Sequence, residues 1–243
     1  MVFLHEGLGS LAMWKDFPQT LCDALGCRGL VYSRPGYGQS TPRAEDEIWG
    51  TDFMHRQALE VLPALLNALD VDTTTQALWL FGHSDGASIS LLYAAHFPAQ
   101  IKGVVVLAPH ISVEDIAVQS ITKTRAAYLE TDLRQRLSRY HADPDSAFWG
   151  WNQIWLDPDF KTWSIEADLA TITCPVMAVQ GWEDEYGTMQ QIDVLKHAVP
   201  QVELLKLSAC GHSPHRDQPD LLIANVQKFT RPLFQPLPLG DRP

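Results

Sequence analysis

The sequence has few cysteines, little positive charge and no long hydrophobic run. Its four cysteines among 243 residues show no convincing metal-ligand spacing, and a disulfide framework is not expected in a chain of this size. No apolar stretch approaches the length of a membrane span, and the amino terminus lacks the pattern of a secretory signal. We therefore expect a cytoplasmic protein with no metal, no cofactor and no membrane partner.

Acidic residues outnumber basic residues. A total of 29 Asp and Glu against 18 Lys and Arg gives a formal net charge of -11. Such a protein would repel the phosphate backbone, so nucleic acid is not an expected partner. The charges are spread along the chain, which is typical of a solvated surface. The expected partner is a small-molecule substrate, and a homodimer is also compatible with the sequence.

The length suits one α/β domain with an inserted cap. Short apolar runs alternate with amphipathic helical patterns, which predicts a mostly parallel sheet of about six strands with helices on both faces. This alternation stops between residues 111 and 170, where helical patterns follow one another. We therefore predict an α/β core at residues 1–110 and 171–243 and a helical cap at 111–170. The alternative is that 111–170 only supplies outer helices to the core.

Local signals place several elements within this pattern. Residues 52–69 have the apolar spacing of an amphipathic helix, in which Pro63 predicts a kink. Asp143, with a proline at the next position, is typical of a helix start. A terminal helix is predicted at residues 219–229. The Pro-rich stretch 232–243 after it is predicted to be loosely ordered.

The chain is organised around residues 77–94. An apolar run meets a G-x-S-x-G motif centred on Ser84, and a helical pattern follows. A strand, a sharp turn and a helix with this motif at the turn predict a nucleophile elbow, which holds the serine in a strained conformation beside free helix N–H groups. The motif alone is a weak signal, since an ordinary strand-to-helix turn also collects small residues. The interpretation therefore depends on an acid and a histidine further along the chain.

Both residues follow Ser84 in the required order. Asp184 and His212 each come after a predicted strand, so all three side chains can meet at one edge of the sheet. A serine hydroxyl is a poor nucleophile until an imidazole takes its proton, and a carboxylate orients that imidazole and stabilises the imidazolium. Nearby residues are competing candidates: Glu183 and Glu185 for the acid, and His215 for the base.

Together these residues resemble the α/β-hydrolase fold family. The resemblance covers nearly the whole chain and includes the Gly- and Pro-rich loop 34–40, the segment 174–184 and the glycine before His212. It implies a cofactor-free serine hydrolase with an α/β-hydrolase fold. It further implies Ser84 as the nucleophile, His212 as the base and Asp184 as the acid that orients the base.

Two features depart from the family's pattern. The family's first loop usually reads His-Gly-x-x-Gly, and here Glu6 replaces the first glycine. The resemblance implies an oxyanion hole formed by the backbone N–H of Asp85 and by that of Gly7 in this loop. The family also begins with an antiparallel strand pair that is missing here, so we expect six strands instead of the usual eight. Either the start is truncated or misplaced, or the protein does without that pair.

Candidate substrate-pocket residues come from the cap and its borders. His110 lies where the cap begins and either faces the pocket or is a satisfied structural histidine. Trp151 and Trp163 lie in the cap and at its exit, where they either pack in the core or line an apolar pocket. The Asp85 side chain is either simply exposed or a carboxylate that discourages anionic substrates near Ser84.

The expected reaction is hydrolysis of a carboxylic ester of a small, largely apolar substrate through an acyl-enzyme. A thioester or a lactone is the next expected substrate. A carbon–carbon bond hydrolase of ring-cleavage products is a rival within the fold. The resemblance to those enzymes is weaker, because they carry Trp after the histidine where this chain has Ser213. A non-catalytic ligand-binding protein on the same scaffold is the hypothesis from another class.

Overall fold

The computed structural model describes residues 1–232, and a sheet of six parallel strands lies at its centre. The strands are β1 Val2–Leu4, β2 Leu30–Val31, β3 Trp79–His83, β4 Gly103–Leu107, β5 Val176–Gly181 and β6 Glu203–Leu207. They lie in the order β2-β1-β3-β4-β5-β6, and every neighbouring pair is parallel. The predicted fold class and strand number are confirmed. All but the first residue of the predicted loose tail, 232–243, lies outside the described residues.

Helices connect most of the strands. They are α1 Phe17–Leu25, α2 Phe53–Arg56, α3 Leu62–Ala68, α4 Asp85–His96, α5 Asp115–Glu130, α6 Leu133–Leu137, α7 Pro144–Trp155, α8 Glu166–Leu169, α9 Gln190–Ala198, α10 Pro214–Asp217 and α11 Pro219–Thr230. Short 3-10 turns occupy Leu11–Trp14 and Pro158–Thr162. Within residues 1–232, no helix combines the length and the apolar character needed to cross a membrane.

The central strands are buried on both faces, which their β-branched and apolar sequence favours. Alternate residues of β4 point to opposite faces. Val104 and Val106 belong to the apolar cluster that contains the apolar residues of α4. Val105 and Leu107 belong to a second cluster, together with residues of α1 and α11. Helices on both faces therefore hold the sheet in place, and its carboxyl edge stays available for loops.

The helix predicted over residues 52–69 contains an irregular turn. A π-helical stretch, Gln57–Val61, joins α2 to α3. Pro63 is the second residue of α3, and because proline has no N–H it cannot donate the regular helical bond to the carbonyl of Leu59. The distortion predicted at Pro63 takes this form.

Between β4 and β5 the chain runs through α5, α6, α7 and α8. The two ends of this insertion meet, because Ser112 and Ser164 form an isolated antiparallel bridge. Helix α7 begins where the sequence predicts, since Asp143 Oδ1 accepts a hydrogen bond from the Ser146 N–H at 2.9 Å. The division of the chain into a core and a cap at 111–170 stays a prediction.

The direction in which the chain adds strands to the sheet reverses at β1. The chain goes from β1 outward to β2 and then returns to the other side of β1 at β3. In open α/β sheets, ligands bind beyond the carboxyl ends of the strands at such a reversal. The loop that contains Glu6 and Gly7 follows β1, and Ser84 follows β3, so both lie at this point.

Candidate active site

Ser84 occupies the turn between β3 and α4 with φ 53° and ψ -119°. Residues other than glycine rarely adopt this backbone conformation. Its N–H donates to the carbonyl of Leu107 at 2.9 Å. Its carbonyl accepts from the N–H groups of Ala87 and Ser88 at 2.8 and 3.1 Å. These bonds hold the strained turn, so the hydroxyl is fixed at the carboxyl end of β3.

The two glycines of the motif allow this turn to pack tightly. A side chain at Gly86 would overlap the backbone of Leu4 in β1. A side chain at Gly82 would overlap the backbone of Gly86 and Ala87. The G-x-S-x-G pattern is therefore explained here by backbone-to-backbone packing among β1, β3 and α4.

The three residues predicted for the reaction lie together. Ser84 Oγ lies 2.9 Å from His212 Nε2, so its hydroxyl can donate to this nitrogen. His212 Nδ1 lies 2.9 Å from both Asp184 Oδ1 and Asp184 Oδ2, to which its N–H donates. The loops after β3, β5 and β6 supply one residue each, as the sequence predicts.

Asp184 is held by its own loop. Its Oδ1 accepts from the N–H groups of Tyr186 and Gly187 at 2.8 and 3.2 Å, and its Oδ2 accepts from Gln180 Nε2 at 2.7 Å. Burial raises the pKa of this carboxyl, but the charge of His212 and the hydrogen bonds outweigh it and leave the pKa below its usual value. Asp184 is therefore a fixed carboxylate that faces the imidazole.

The competing candidates occupy other positions. Within residues 1–232, neither Glu183 nor Glu185 forms a hydrogen bond with His212. The ring of His215 packs against Trp14, with ring centroids 4.8 Å apart.

The pKa of His212 is the result of two opposing effects. Burial disfavours the charged imidazolium and lowers the pKa, whereas the charge and the hydrogen bond of Asp184 raise it. The net result is a pKa above the ordinary value of 6.5. A ring with this pKa can accept a proton from Ser84 and hold it as an imidazolium.

The backbone N–H groups of Gly7 and Asp85 satisfy one requirement of the predicted oxyanion hole. In the described part of the chain, neither donates a hydrogen bond to a protein acceptor. The N–H of Asp85 is the first of α4, where helices leave N–H groups unpaired. Gly7 is buried, and the Trp151 indole packs so closely on it that a side chain would overlap the ring. Both N–H groups are therefore unpaired, and their role as an oxyanion hole stays a prediction.

The side chain of Asp85 matches neither of the two alternatives offered by the sequence. It is fully buried, and it is not among the residues that line the cavity beside Ser84. Its Oδ1 accepts from Trp155 Nε1 at 3.2 Å, and its Oδ2 lies 3.6 Å from Arg34 Nη2. Burial raises the pKa of this carboxyl, and the charge of Arg34 opposes the rise. Asp85 connects the elbow to α7 and to the loop after β2.

A cavity of about 160 Å³ adjoins Ser84 and His212. Polar or ionisable residues form more than half of its lining: Glu6, His83, Ser84, His110, Glu185, His212 and Ser213. The apolar part of the lining consists of Leu8, Ile121, Trp151, Trp155 and Tyr186. The lining is therefore a mixture of apolar side chains and polar or ionisable ones.

The predicted pocket residues have different positions. His110 and Trp151 line this cavity, and Trp163 does not. Trp163 stacks on Phe160 with ring centroids 5.1 Å apart. Trp155 lines the cavity as well, and a sequence signal for it exists. It lies four residues after Trp151 on α7, so both rings share one helix face.

His110 is a buried histidine beside His212, with ring centroids 5.9 Å apart. Its ring also meets Trp155 edge-on at 4.7 Å. Burial, together with the charge of His212, lowers the pKa of His110 to about 3, so its imidazole is neutral at neutral pH. Its Nδ1 has no hydrogen-bond partner among the described residues.

A family model described as alpha/beta hydrolase fold matches residues 1–153, and the chain belongs to this family. Proline iminopeptidase from Heyndrickxia coagulans is 23% identical over 276 residues, which cover 94% of this chain and 89% of that protein. The resemblance inferred from the sequence is confirmed.

Two solved structures are similar to this one. A proline iminopeptidase from Mycobacterium smegmatis has a TM-score of 0.74 at 18% identity and covers 95% of this chain and 88% of its own. A thermophilic esterase from Thermogutta terrifontis has a TM-score of 0.72 at 16% identity and covers 96% of this chain and 90% of its own. At these identities, the two structures support the fold alone.

Proposed function

We propose that this chain is a serine hydrolase that cleaves a carboxylic ester of a small, largely apolar substrate. The observation that carries the proposal is the hydrogen-bonded series Ser84, His212 and Asp184 beside a cavity that is lined in part by apolar side chains. This arrangement supplies a nucleophile, a base and an orienting carboxylate in contact with one another.

The first half of the reaction forms an acyl-enzyme. Ser84 Oγ attacks the ester carbonyl carbon, and its proton passes to His212 Nε2. Asp184 stabilises the imidazolium that forms. The carbonyl oxygen becomes negatively charged and accepts hydrogen bonds from the N–H groups of Gly7 and Asp85, which stabilise the tetrahedral intermediate. The intermediate then collapses, the bond to the leaving oxygen breaks, and His212 protonates the departing alcohol.

The second half releases the acid. A water molecule gives a proton to His212 Nε2 while its oxygen attacks the acyl carbon. The second tetrahedral intermediate collapses, the bond to Ser84 Oγ breaks, and the serine recovers the proton from His212. The products are one alcohol and one carboxylic acid. A thioester or a lactone would follow the same steps.

The cavity supports a small acyl group. Its volume of about 160 Å³ lies below the range of about 300 Å³ and more that is common for drug-sized ligands. Ile121, Trp151 and Trp155 belong to the apolar part of the lining, and the proposed role of residues 111–170 as a cap depends on these three side chains. Glu6 and Glu185 disfavour an additional anionic group on the substrate.

A cytoplasmic location is part of the proposal. Within residues 1–232, all four cysteines are unpaired: Cys22, Cys27, Cys174 and Cys210. Unpaired thiols suit a reducing compartment.

The test is a substrate panel measured as kcat/KM. p-Nitrophenyl acetate, butyrate and octanoate vary the acyl length, and an acyl thioester, a lactone, a ring-cleavage dienoate and L-proline p-nitroanilide vary the bond. We expect the short esters to be the best substrates and the octanoate to be poor. Preference for the dienoate or for the anilide would replace the ester assignment. Tight binding of these compounds without turnover would favour the ligand-binding protein.

A further inference from the structure

Glu6 stands where the family's first loop carries glycine, and its carboxylate has two cationic or protonatable neighbours. Its Oε1 lies 3.3 Å from Arg216 Nη2 in α10. Its Oε2 lies 3.4 Å from His83 Nδ1 at the end of β3. The Glu6 side chain is only 16% exposed, so these contacts are shielded from solvent.

The ring of His83 lies between Glu6 and the backbone of His212. Its Nε2–H donates to the backbone carbonyl of His212 at 2.6 Å, so this nitrogen carries a proton. The opposite ring nitrogen, Nδ1, lies 3.4 Å from Glu6 Oε2 and forms no hydrogen bond among the described residues. The His83 side chain is 1% exposed. The ring of His83 is therefore held between a carboxylate and the backbone of the proposed base.

We propose that Glu6 is a positioning residue for His212. Through His83 it fixes the carbonyl of His212, and through Arg216 it fixes the segment that follows. The inference rests on the proposed function, because Glu6 would act on the reaction only through the base. Residues from the loop after β1, from β3 and from α10 then place the His212 ring over Ser84.

The ionisation of Glu6 supports this role. Burial opposes the charge of the carboxylate, but the contact with His83 and the charges of His83 and Arg216 outweigh it and hold the pKa well below its usual value. The negative charge of Glu6 also contributes to the raised pKa of His212, after Asp184 and Glu185. The titratable or charged groups around His212 are Glu6, His83, Asp85, His110, Asp184, Glu185, Tyr186, His215 and Arg216.

The main variant is Glu6→Gln, which keeps the shape of the side chain and removes its charge. We expect kcat to fall by roughly tenfold to a hundredfold while KM stays within about twofold, because ring placement affects the chemical step more than binding. The pKa of His212, read by NMR of ¹³C-labelled histidine, is expected to fall. Glu6→Asp keeps the charge and should restore the pKa of His212, with partial recovery of kcat.

Glu183→Gln is the matched control. Glu183 is exposed, and in the described residues its side chain forms no hydrogen bond with His83 or His212, so the control removes a carboxylate charge near the base without touching either ring. We expect kcat to be unchanged.

If Glu6→Gln does not fold, Arg216→Gln replaces it, since the Arg216 side chain is 44% exposed. It should lower kcat at constant KM, and wild-type kcat in that variant would overturn the inference.

The experiment separates the two proposals. If wild type hydrolyses esters and Glu6→Gln shows wild-type kcat and an unchanged pKa of His212, Glu6 is only a structural residue and the inference is wrong. If wild type hydrolyses no substrate, the proposed function fails. The NMR measurement then still decides whether Glu6 acts on His212, because it needs no turnover.

Discussion

Trp155 Nε1 donates a hydrogen bond to Asp85 Oδ1 across 3.2 Å, and this bond joins α7 to the residue that follows Ser84. The other carboxylate oxygen of Asp85 lies 3.6 Å from Arg34. The same residue presents its N–H at the start of α4. One buried side chain therefore links a wall of the cavity to the proposed oxyanion hole.

Replacement of Asp85 tests this link. Asp85→Ala leaves the guanidinium of Arg34 buried without its carboxylate, and loss of one partner of a buried pair costs about 3–5 kcal/mol in the free energy of unfolding. Urea denaturation measures this loss. Asp85→Asn is the control, since its amide oxygen can still accept from Trp155, and a smaller loss is expected. If Asp85→Ala lowered the free energy of unfolding by less than about 1 kcal/mol, as for an exposed pair, the pair of Asp85 and Arg34 would contribute little to stability.

Gly7 and Trp151 form a second testable pair. A methyl group at Gly7 would overlap the indole of Trp151, so Gly7→Ala must displace either the ring or the loop. We expect kcat to fall by about a hundredfold, as for loss of one oxyanion donor. The double variant with Trp151→Ala makes space for the methyl group and should recover part of that loss relative to Trp151→Ala alone. Equal losses with and without the tryptophan would contradict this explanation.

The pH dependence follows from the raised pKa of His212. The base must be neutral to accept the proton of Ser84, and its folded-state pKa lies above 6.5. The value of kcat/KM is therefore expected to fall as pH drops through an apparent pKa above 6.5. A pH–rate profile with a neutral ester measures it. A profile that stays flat well below that pH would exclude His212 as the base.

Asp184→Asn removes the main cause of that raised pKa. Two effects are expected, a fall in kcat of about 10⁴-fold because the imidazole loses its orienting carboxylate, and a shift of the acid limb to lower pH. Glu183→Gln is the control, because this neighbour forms no described hydrogen bond with His212. If the two variants had similar kcat values, the acid would have to be assigned to another residue.

Much of this molecule could be predicted from local sequence. The alternation of apolar strands and amphipathic helices predicts the parallel sheet, and the G-x-S-x-G turn predicts the strained serine at φ 53°. The strand-ending loops predict which segments supply the acid and the histidine, and the family resemblance implies Asp184 and His212 among the candidates in those segments. These features depend on short-range patterns, so one sequence is enough to reveal them.

Other parts of the site depend on contacts between distant segments. The pairing of Asp85 with Arg34, and that of Glu6 with Arg216, joins residues in separate loops. No periodicity connects such positions, and each charge by itself is equally compatible with a solvated surface. The cavity residue Trp155 differs, because its helical spacing from Trp151 was a usable signal that favours it over Trp163.

The most direct test of the central claim is labelling by a fluorophosphonate probe, read by intact mass, in wild type and in Ser84→Ala. Far-ultraviolet circular dichroism confirms that both proteins are folded. The account predicts one adduct on wild type and none on Ser84→Ala, because only a serine activated by His212 reacts with the probe. No adduct on folded wild type, or an adduct that persists in Ser84→Ala, would contradict the assignment of Ser84 as the nucleophile.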